Sequence, residues 1–244
     1  MSASTSCTAT RLELLRTAEV AVEGRMPWSS NATFLVTLSA ADAVTHQAIY
    51  KPIRGERPLW DFEPGLHRRE LAAFVLSELL GFGVVPPTVI RDDVPLGEGS
   101  LQWFVDADHS QHYFTVYAAR PDLHDEFRKV AVLDLLANNT DRKSGHCLVE
   151  PAVDAPEARI WAIDNGLCFA ADDKLRTVIW EFADEPIDDV LLDPVAALVD
   201  DVPTELATLL TDDEVAALQR RAGRLVTTRR FPRDNGHRYP WPLV

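Results

Sequence analysis

Cysteine is scarce in this chain. Cys7, Cys147 and Cys168 are the only three in 244 residues, and no C-x-x-C or H-x-x-x-H pair accompanies them. That excludes a disulfide framework and leaves no motif for a structural zinc site. Long apolar runs are absent, and so is a cationic, hydrophobic leader at the N-terminus, so neither a bilayer span nor a secretory signal is read and a cytoplasmic setting is expected. Basic residues are outnumbered: 24 Lys and Arg face 38 Asp and Glu, for a net charge of −14. A polyanion would be repelled, which argues against non-specific binding to nucleic acid or to an anionic membrane, while the lack of a long apolar run argues against integral membrane contact. Repeats and low-complexity blocks are missing too. What is there is a 46% hydrophobic composition, enough for a sizeable core in one large domain or two small lobes.

The first residues are Ser- and Thr-rich, and a short helix is expected around Leu12, Leu15 and Ala18. Alternation then marks a hairpin, Glu19 to Arg25 and Ala32 to Leu38, and a third strand, HQAIYKP, which ends near Lys51. A Pro-broken stretch precedes HRRELAAFVLSELLGFG, whose apolar residues recur at helical spacing; Glu70 is placed in its first turn and Gly81 at its stop. Two more strands, Pro87 to Arg91 and Ser100 to Ala107, complete a β-rich lobe over residues 1–107. Residues 108–244 read as a mainly helical lobe, with helices leading into Asp141, over Asp188 to Val199, over Thr204 to Leu210, and from a T-D-D-E capping box at Thr211 to about Thr228.

Two short stretches carry most of the chemistry: NNTDRKSGHCL, from Asn138 to Leu148, and AIDNGLCF, from Ala162 to Phe169. Asp141 falls in a loop after a helix, where a carboxylate can face a hydroxyl, and Asp164 ends a strand, where one can hold a divalent cation. Asp-Asn-Gly is equally a turn signal. The ordering is more specific than any one residue: a loop between two strands, a strand lysine, a helix glutamate, a loop aspartate and a strand-end aspartate are the working parts of a kinase.

On these residues, with YKP at Tyr50 to Pro52, GERPLWDF, RRE at Arg68 to Glu70, VPPT, IDNG and LRTVIW, the chain resembles the atypical kinases of the phosphoinositide 3/4-kinase superfamily. It is more closely similar to a small actinobacterial family grouped with them. The resemblance implies a two-lobed, kinase-like α+β fold, ATP as cosubstrate, and magnesium or manganese. It implies that Lys51 holds nucleotide phosphates and pairs with Glu70, that Asp141 accepts or orients the acceptor hydroxyl, and that Asp164 holds metal. Arg142 and Lys143 would stabilise charge in the transition state. Ser29, Ser30 and Asn31 would cover the phosphates, since only Gly24 precedes MPWSSN and a Gly-rich loop is lacking. Trp103 and Phe104 either border the adenine or simply pack in the core.

Two positions depart from the superfamily pattern. Lys143 stands where the catalytic loop has His, and His146 stands where an Asn holds the second metal. An imidazole suits manganese better than magnesium, so the options are a manganese preference, one metal held firmly at Asp164, or a His146 that only hydrogen-bonds within its loop. These departures, with the Asn after Asp164, keep open a pseudokinase that binds nucleotide or a partner without transfer, and an AMP transferase. The acceptor is left open among a lipid head group, a protein and a soluble small molecule. Finally, Arg220, Arg221, Arg224, Arg229, Arg230, Arg233 and Arg238 crowd a stretch holding a single acid, Asp234. Either they complement a helix end or they form a docking surface for an acidic partner.

Overall fold

The computed structural model describes residues 3–27, 31–40, 44–150, 157–234 and 239–243. Helix α1 (Ala3–Thr17) precedes five strands, β1 (Glu19–Arg25), β2 (Phe34–Ser39), β3 (Thr45–Pro52), β4 (Thr88–Arg91) and β5 (Gly99–Trp103), with α2 (Leu66–Leu79) inserted between β3 and β4. The strands form one antiparallel sheet in the order β1-β2-β3-β5-β4. Then follow α3 (Tyr113–Ala119), α4 (His124–Ala137), a two-stranded hairpin of β6 (Cys147–Glu150) and β7 (Arg159–Ala162), and α5 (Asp189–Asp200), α6 (Thr204–Ala207) and α7 (Asp212–Thr228). Among the described residues no helix is long and apolar enough to cross a membrane.

Side chains alternate across a strand, and that alternation sorts the sheet into two faces. Phe34, Val36, Leu38, Ala48, Tyr50 and Leu101 turn to the back, where Leu12, Leu15 and Ala18 cover them in a small separate core. The last carbonyls of this helical cover, those of Leu15 and Ala18, accept from the Arg91 guanidinium at 3.3 and 2.7 Å, which supplies donors the helix end lacks. The residues between, Leu35, Ile49 and Lys51, therefore face the other way, toward α2.

Helix α2 is inserted into the larger core. Ala72, Phe74, Leu76 and Leu80 pack with α4, α5 and α7 through Phe127, Leu133, Leu136, Leu192, Val195 and Leu218. Its N-cap, Gly65, has no side chain to offer, and the carboxylate of Glu56 replaces one by accepting from the backbone N–H of Gly65 and His67 at 2.8 and 3.1 Å. Burial raises the pKa of Glu56, yet these bonds and the His67 ring more than offset it, and the group is held below its ordinary value. Gly81 (φ 66°) closes the helix end in the left-handed region, as its position in the sequence predicts. The capping box at α7 is also present, with Thr211 and Glu214 exchanging bonds; Glu214 uses its other oxygen on Arg69, 2.5 Å away, and so ties α7 to α2.

Three expectations need adjustment. Glu70 is the fifth residue of α2 and lies in its second turn, because the helix starts only at Leu66. The short helix α3 was not foreseen; its start at Tyr113 follows a polar, His-rich stretch with no apolar period. Strand β5 stops at Trp103, short of Ala107: the Phe104 N–H still donates to Gln47 O of β3 at 3.2 Å, and the pairing does not continue past it.

Candidate active site

One cavity is lined by Lys51, Glu70, Asp141 and Asp164, together with Asn31, Thr33, Glu56, His67 and Gly166. It is narrow, about 50 Å³. Lys51 reaches into it from β3 and pairs with Glu70 on α2 and, at 2.7 Å, with Asp164 Oδ1 beyond β7. Burial disfavours the ammonium, but the two carboxylates outweigh that and raise its pKa above the ordinary lysine value. Asp164 is held well below the usual carboxylate range, chiefly by Lys51. Both groups are therefore charged at neutral pH.

Glu70 is 2% exposed and uses both oxygens. Oε1 takes Lys51 and Oε2 accepts from the Asn165 N–H at 3.0 Å, so a single carboxylate links sheet, helix and the loop after β7. That loop is strained, since Asp164 lies at φ 56° in the left-handed region, which Asp and Asn tolerate better than other non-glycine residues.

The loop that carries Asp141 follows α4, which ends where Asn138 turns left-handed at φ 51°. Asn138 Nδ2 donates to Ala170 O and Asp172 O, and Asn139 Oδ1 accepts from the Asp141 N–H at 2.9 Å. The carboxylate of Asp141 is paired with Lys143 Nζ at 3.0 Å. Burial raises its pKa above the ordinary value although Lys143 opposes this, which moves it toward the range of a useful base. His146 brings Nε2 to 3.5 Å from Asp164 Oδ2, while its Nδ1 faces the Lys143 N–H at 3.5 Å. Burial keeps the ring neutral, with its pKa pushed down to about 4. A neutral ring whose Nδ1 accepts carries its proton on Nε2, toward Asp164.

Arg142 is a correction. It is fully buried and does not face the cavity: its guanidinium grips Asp134 of α4 at 2.9 to 3.1 Å and donates to Ile163 O and Asn165 Oδ1, each at 2.6 Å. It fastens the Asp141 and Asp164 loops to one helix. The sequence signal for this partner was Asp134 itself, a lone acid inside VAVLDLLA. Trp103 is a second correction. By strand alternation it shares a face with Leu101, packs on the back core, and carries the Arg11 guanidinium 5.1 Å from its ring centre, so α1 and not the Lys51 face lies against it. Phe104 is half-buried at the exit of β5. Asn31 lines the cavity and accepts from the Arg57 N–H at 3.0 Å; Ser29 and Ser30 lie outside the described residues, as does Arg238.

Sequence reasoning missed Glu56, His67 and Asn139 as supports of the site. Glu56 and His67 lie in a Pro-broken loop and at a helix start, and only the fold brings them together. Cys147 and Cys168 are buried free thiols, pushed up by burial and remote from nucleophilic use.

No protein-family model matches the chain. Its fold is that of kinases: the Golgi casein kinase with Mn/ADP bound superposes with a TM-score of 0.60 at 15% identity, over 98% of this chain and 81% of that one. Hydra Fam20 with sugar gives 0.54 at 15%, over 93% and 90%, and the Helicobacter pylori proinflammatory kinase CtkA gives 0.50 at 13%, over 88% and 93%. In sequence, Protein Rv2133c of Mycobacterium tuberculosis is 38% identical over 267 aligned positions that cover 94% of each chain. At that identity and coverage, the chain belongs to the same family as Rv2133c.

Proposed function

We propose that this protein is an ATP-dependent phosphotransferase, and the observation that carries the reading is the convergence of Lys51, Glu70, Asp141 and Asp164 on one cavity. Bound nucleotide with a divalent cation would supply the activated phosphoryl group and the charge that makes it transferable. The residues fit such a group. Among the described residues no cluster of three or more His, Cys, Asp or Glu could hold a metal alone. A magnesium or manganese ion that also takes phosphate oxygens and waters needs only one or two carboxylates from the protein, and ionised Asp164 provides one.

In this mechanism Lys51 neutralises phosphate oxygens and Glu70 fixes its direction. Asp141 accepts or orients the acceptor hydroxyl, with Lys143 balancing its charge. Asn31, with Ser29 and Ser30, would cover the phosphates. For the adenine, Leu35 and Ile49 offer an apolar roof on the Lys51 side of the sheet, and the satellite cluster of Val105, Leu148 and Trp161, with Ile163, offers an apolar floor. The acceptor is a protein, a soluble small molecule or a lipid head group. The narrower kinship with phosphoinositide kinases rests on the sequence motifs, as does a cytoplasmic setting on composition.

Labelled ATP, supplied with manganese or magnesium and a soluble extract, tests the proposal. A phosphorylated product that forms with the wild type and not with Asp141→Asn supports it. Transfer of AMP, or nucleotide binding by thermal shift with no labelled product, would replace it with the adenylyl-transfer or pseudokinase reading.

The geometry favours His146 as a partner that aims Asp164, with one metal held at that carboxylate. His146→Ala is expected to lower activity about 10- to 100-fold, as loss of an outer-shell partner does, with magnesium and manganese alike. Selective loss of the manganese-supported rate would make His146 a ligand.

A further inference from the structure

A concentration of positive charge in this acidic protein lies away from the Lys51 cavity, around a hollow of about 720 Å³ between α4, the segment 173–176, α7 and the segment 230–233. Six cationic side chains line it: Lys174, Arg176, Arg221, Arg224, Arg230 and Arg233. Against them stand two lining carboxylates: Asp173, held bidentate by Arg224, and Asp184, whose two oxygens share the Arg233 Nε–H. Lys174 is answered from outside by Asp61 at 3.5 Å. Arg176, Arg221 and Arg230 have no carboxylate partner among the described residues. Three positive charges therefore remain in one hollow of a chain whose net charge is −14.

Arg221 makes this more than a solvated basic face. It is 4% exposed, and its guanidinium donates through Nε to Leu136 O at 2.6 Å and through Nη1 to Ala170 O at 3.2 Å. Its remaining nitrogen, Nη2, is buried without any hydrogen-bond partner. A buried cationic donor left unpaired is costly, by more than a neutral one. Burial and the neighbouring Arg224 and Arg220 charges depress its pKa to about 10, against which Asp173 is insufficient. The donor, the surplus charge and the hollow point in one direction.

We infer that this hollow is a binding site for a phosphate-bearing small molecule, carried by Arg221 at its base and by Arg176 and Arg230 at its rim. Guanidinium groups match phosphate oxygens in geometry and charge. A small anion can enter a hollow of this size, whereas a broad acidic protein surface cannot. The site is separate from the Lys51 cavity yet joined to the loop that bears Asp141: the Arg176 N–H donates to Asn139 O at 2.8 Å, and Arg176 O accepts from the Arg142 N–H at 3.1 Å. Asn138, which lines the hollow, also accepts from the Lys174 N–H at 3.0 Å. An anion ordering segment 174–176 would thus act on the backbone that holds Asp141.

The full chain, free of divalent metal and at fixed ionic strength, is titrated with inorganic pyrophosphate and, separately, with ribose 5-phosphate, while the melting temperature is followed. Both compounds carry the phosphate chemistry, and the tighter of the two tells a free anion from a phosphate ester. Saturable stabilisation by either is expected, unchanged in Lys51→Ala and weakened about tenfold or more in Arg176→Ala/Arg230→Ala, where two charge-assisted bonds are lost. The rim variants are used because both side chains are exposed, whereas Arg221→Met also removes the bonds to Leu136 O of α4 and to Ala170 O and can weaken folding by itself. No saturable effect overturns the inference. So does an effect lost in Lys51→Ala and kept in the rim variant, which would place the anion in the other cavity. Stabilisation by a polyglutamate peptide alone, through the same two arginines, would replace the small molecule with an acidic polypeptide.

Discussion

Asp141→Asn should slow phosphoryl transfer about 10²- to 10⁴-fold, the range for loss of a positioned acid–base group, and leave nucleotide affinity nearly unchanged. The isostere keeps the bond from the Asp141 N–H to Asn139 and removes only the basic oxygen. The pH dependence follows from the same surroundings. Burial sets the pKa of Asp141 above the ordinary carboxylate value. A base works when deprotonated, so activity is lost as pH falls through that raised value, and the acid limb of the kcat profile should stand above the value of about 4 that an unperturbed Asp would give. Lys143 draws the pKa down; Lys143→Met should therefore move the limb to still higher pH. A flat profile, or an Asp141→Asn enzyme as fast as the wild type, would remove Asp141 from the chemistry. Equal loss of nucleotide binding would make it a binding group instead.

Arg142→Met should cost about 3 to 5 kcal/mol of folding stability, because it strands a fully buried carboxylate without its partner. Total stabilities of domains run to only about 5 to 15 kcal/mol, so the variant should unfold at much lower urea. Asp134 is completely buried, and burial already pushes its pKa up against the pull of Arg142. Without the guanidinium it would have to take up a proton or admit water. The double variant Asp134→Leu/Arg142→Met removes both ions and should recover a large part of the loss, though not all, since Ile163 O and Asn165 Oδ1 stay without their donor. A double variant no more stable than Arg142→Met would show that the ion pair is not what the fold depends on here.

Periodicity and punctuation made most of the architecture legible. Glu19–Arg25 and the T-D-D-E cap stand where alternation and capping chemistry put them, because in both the signal is local. Lys51, Glu70, Asp141 and Asp164 were legible as a set through their order along the chain. What escaped was direction. Nothing local separates Lys143, which meets Asp141 in the cavity, from Arg142, which turns into the core. Their split is decided by Asp134, one helix earlier, and by the loop after β7. Trp103 failed for a related reason: which face of β5 it takes depends on α1 covering the back of the sheet. Glu56 is legible only once the chain has folded it onto the start of α2.

The left-handed backbone at Asp164 bears on how that position can be interrogated. Alanine there changes two things together, removing the negative charge and forcing a methyl-bearing residue into a conformation it resists, so a dead Ala variant would say little about the ion it failed to hold. Asparagine tolerates the same backbone and has almost the same shape, which makes Asp164→Asn the substitution that asks only about charge. Glycine relieves the backbone altogether, and the difference between the alanine and glycine variants, neither of which carries a polar side chain, isolates what the loop's conformation is worth.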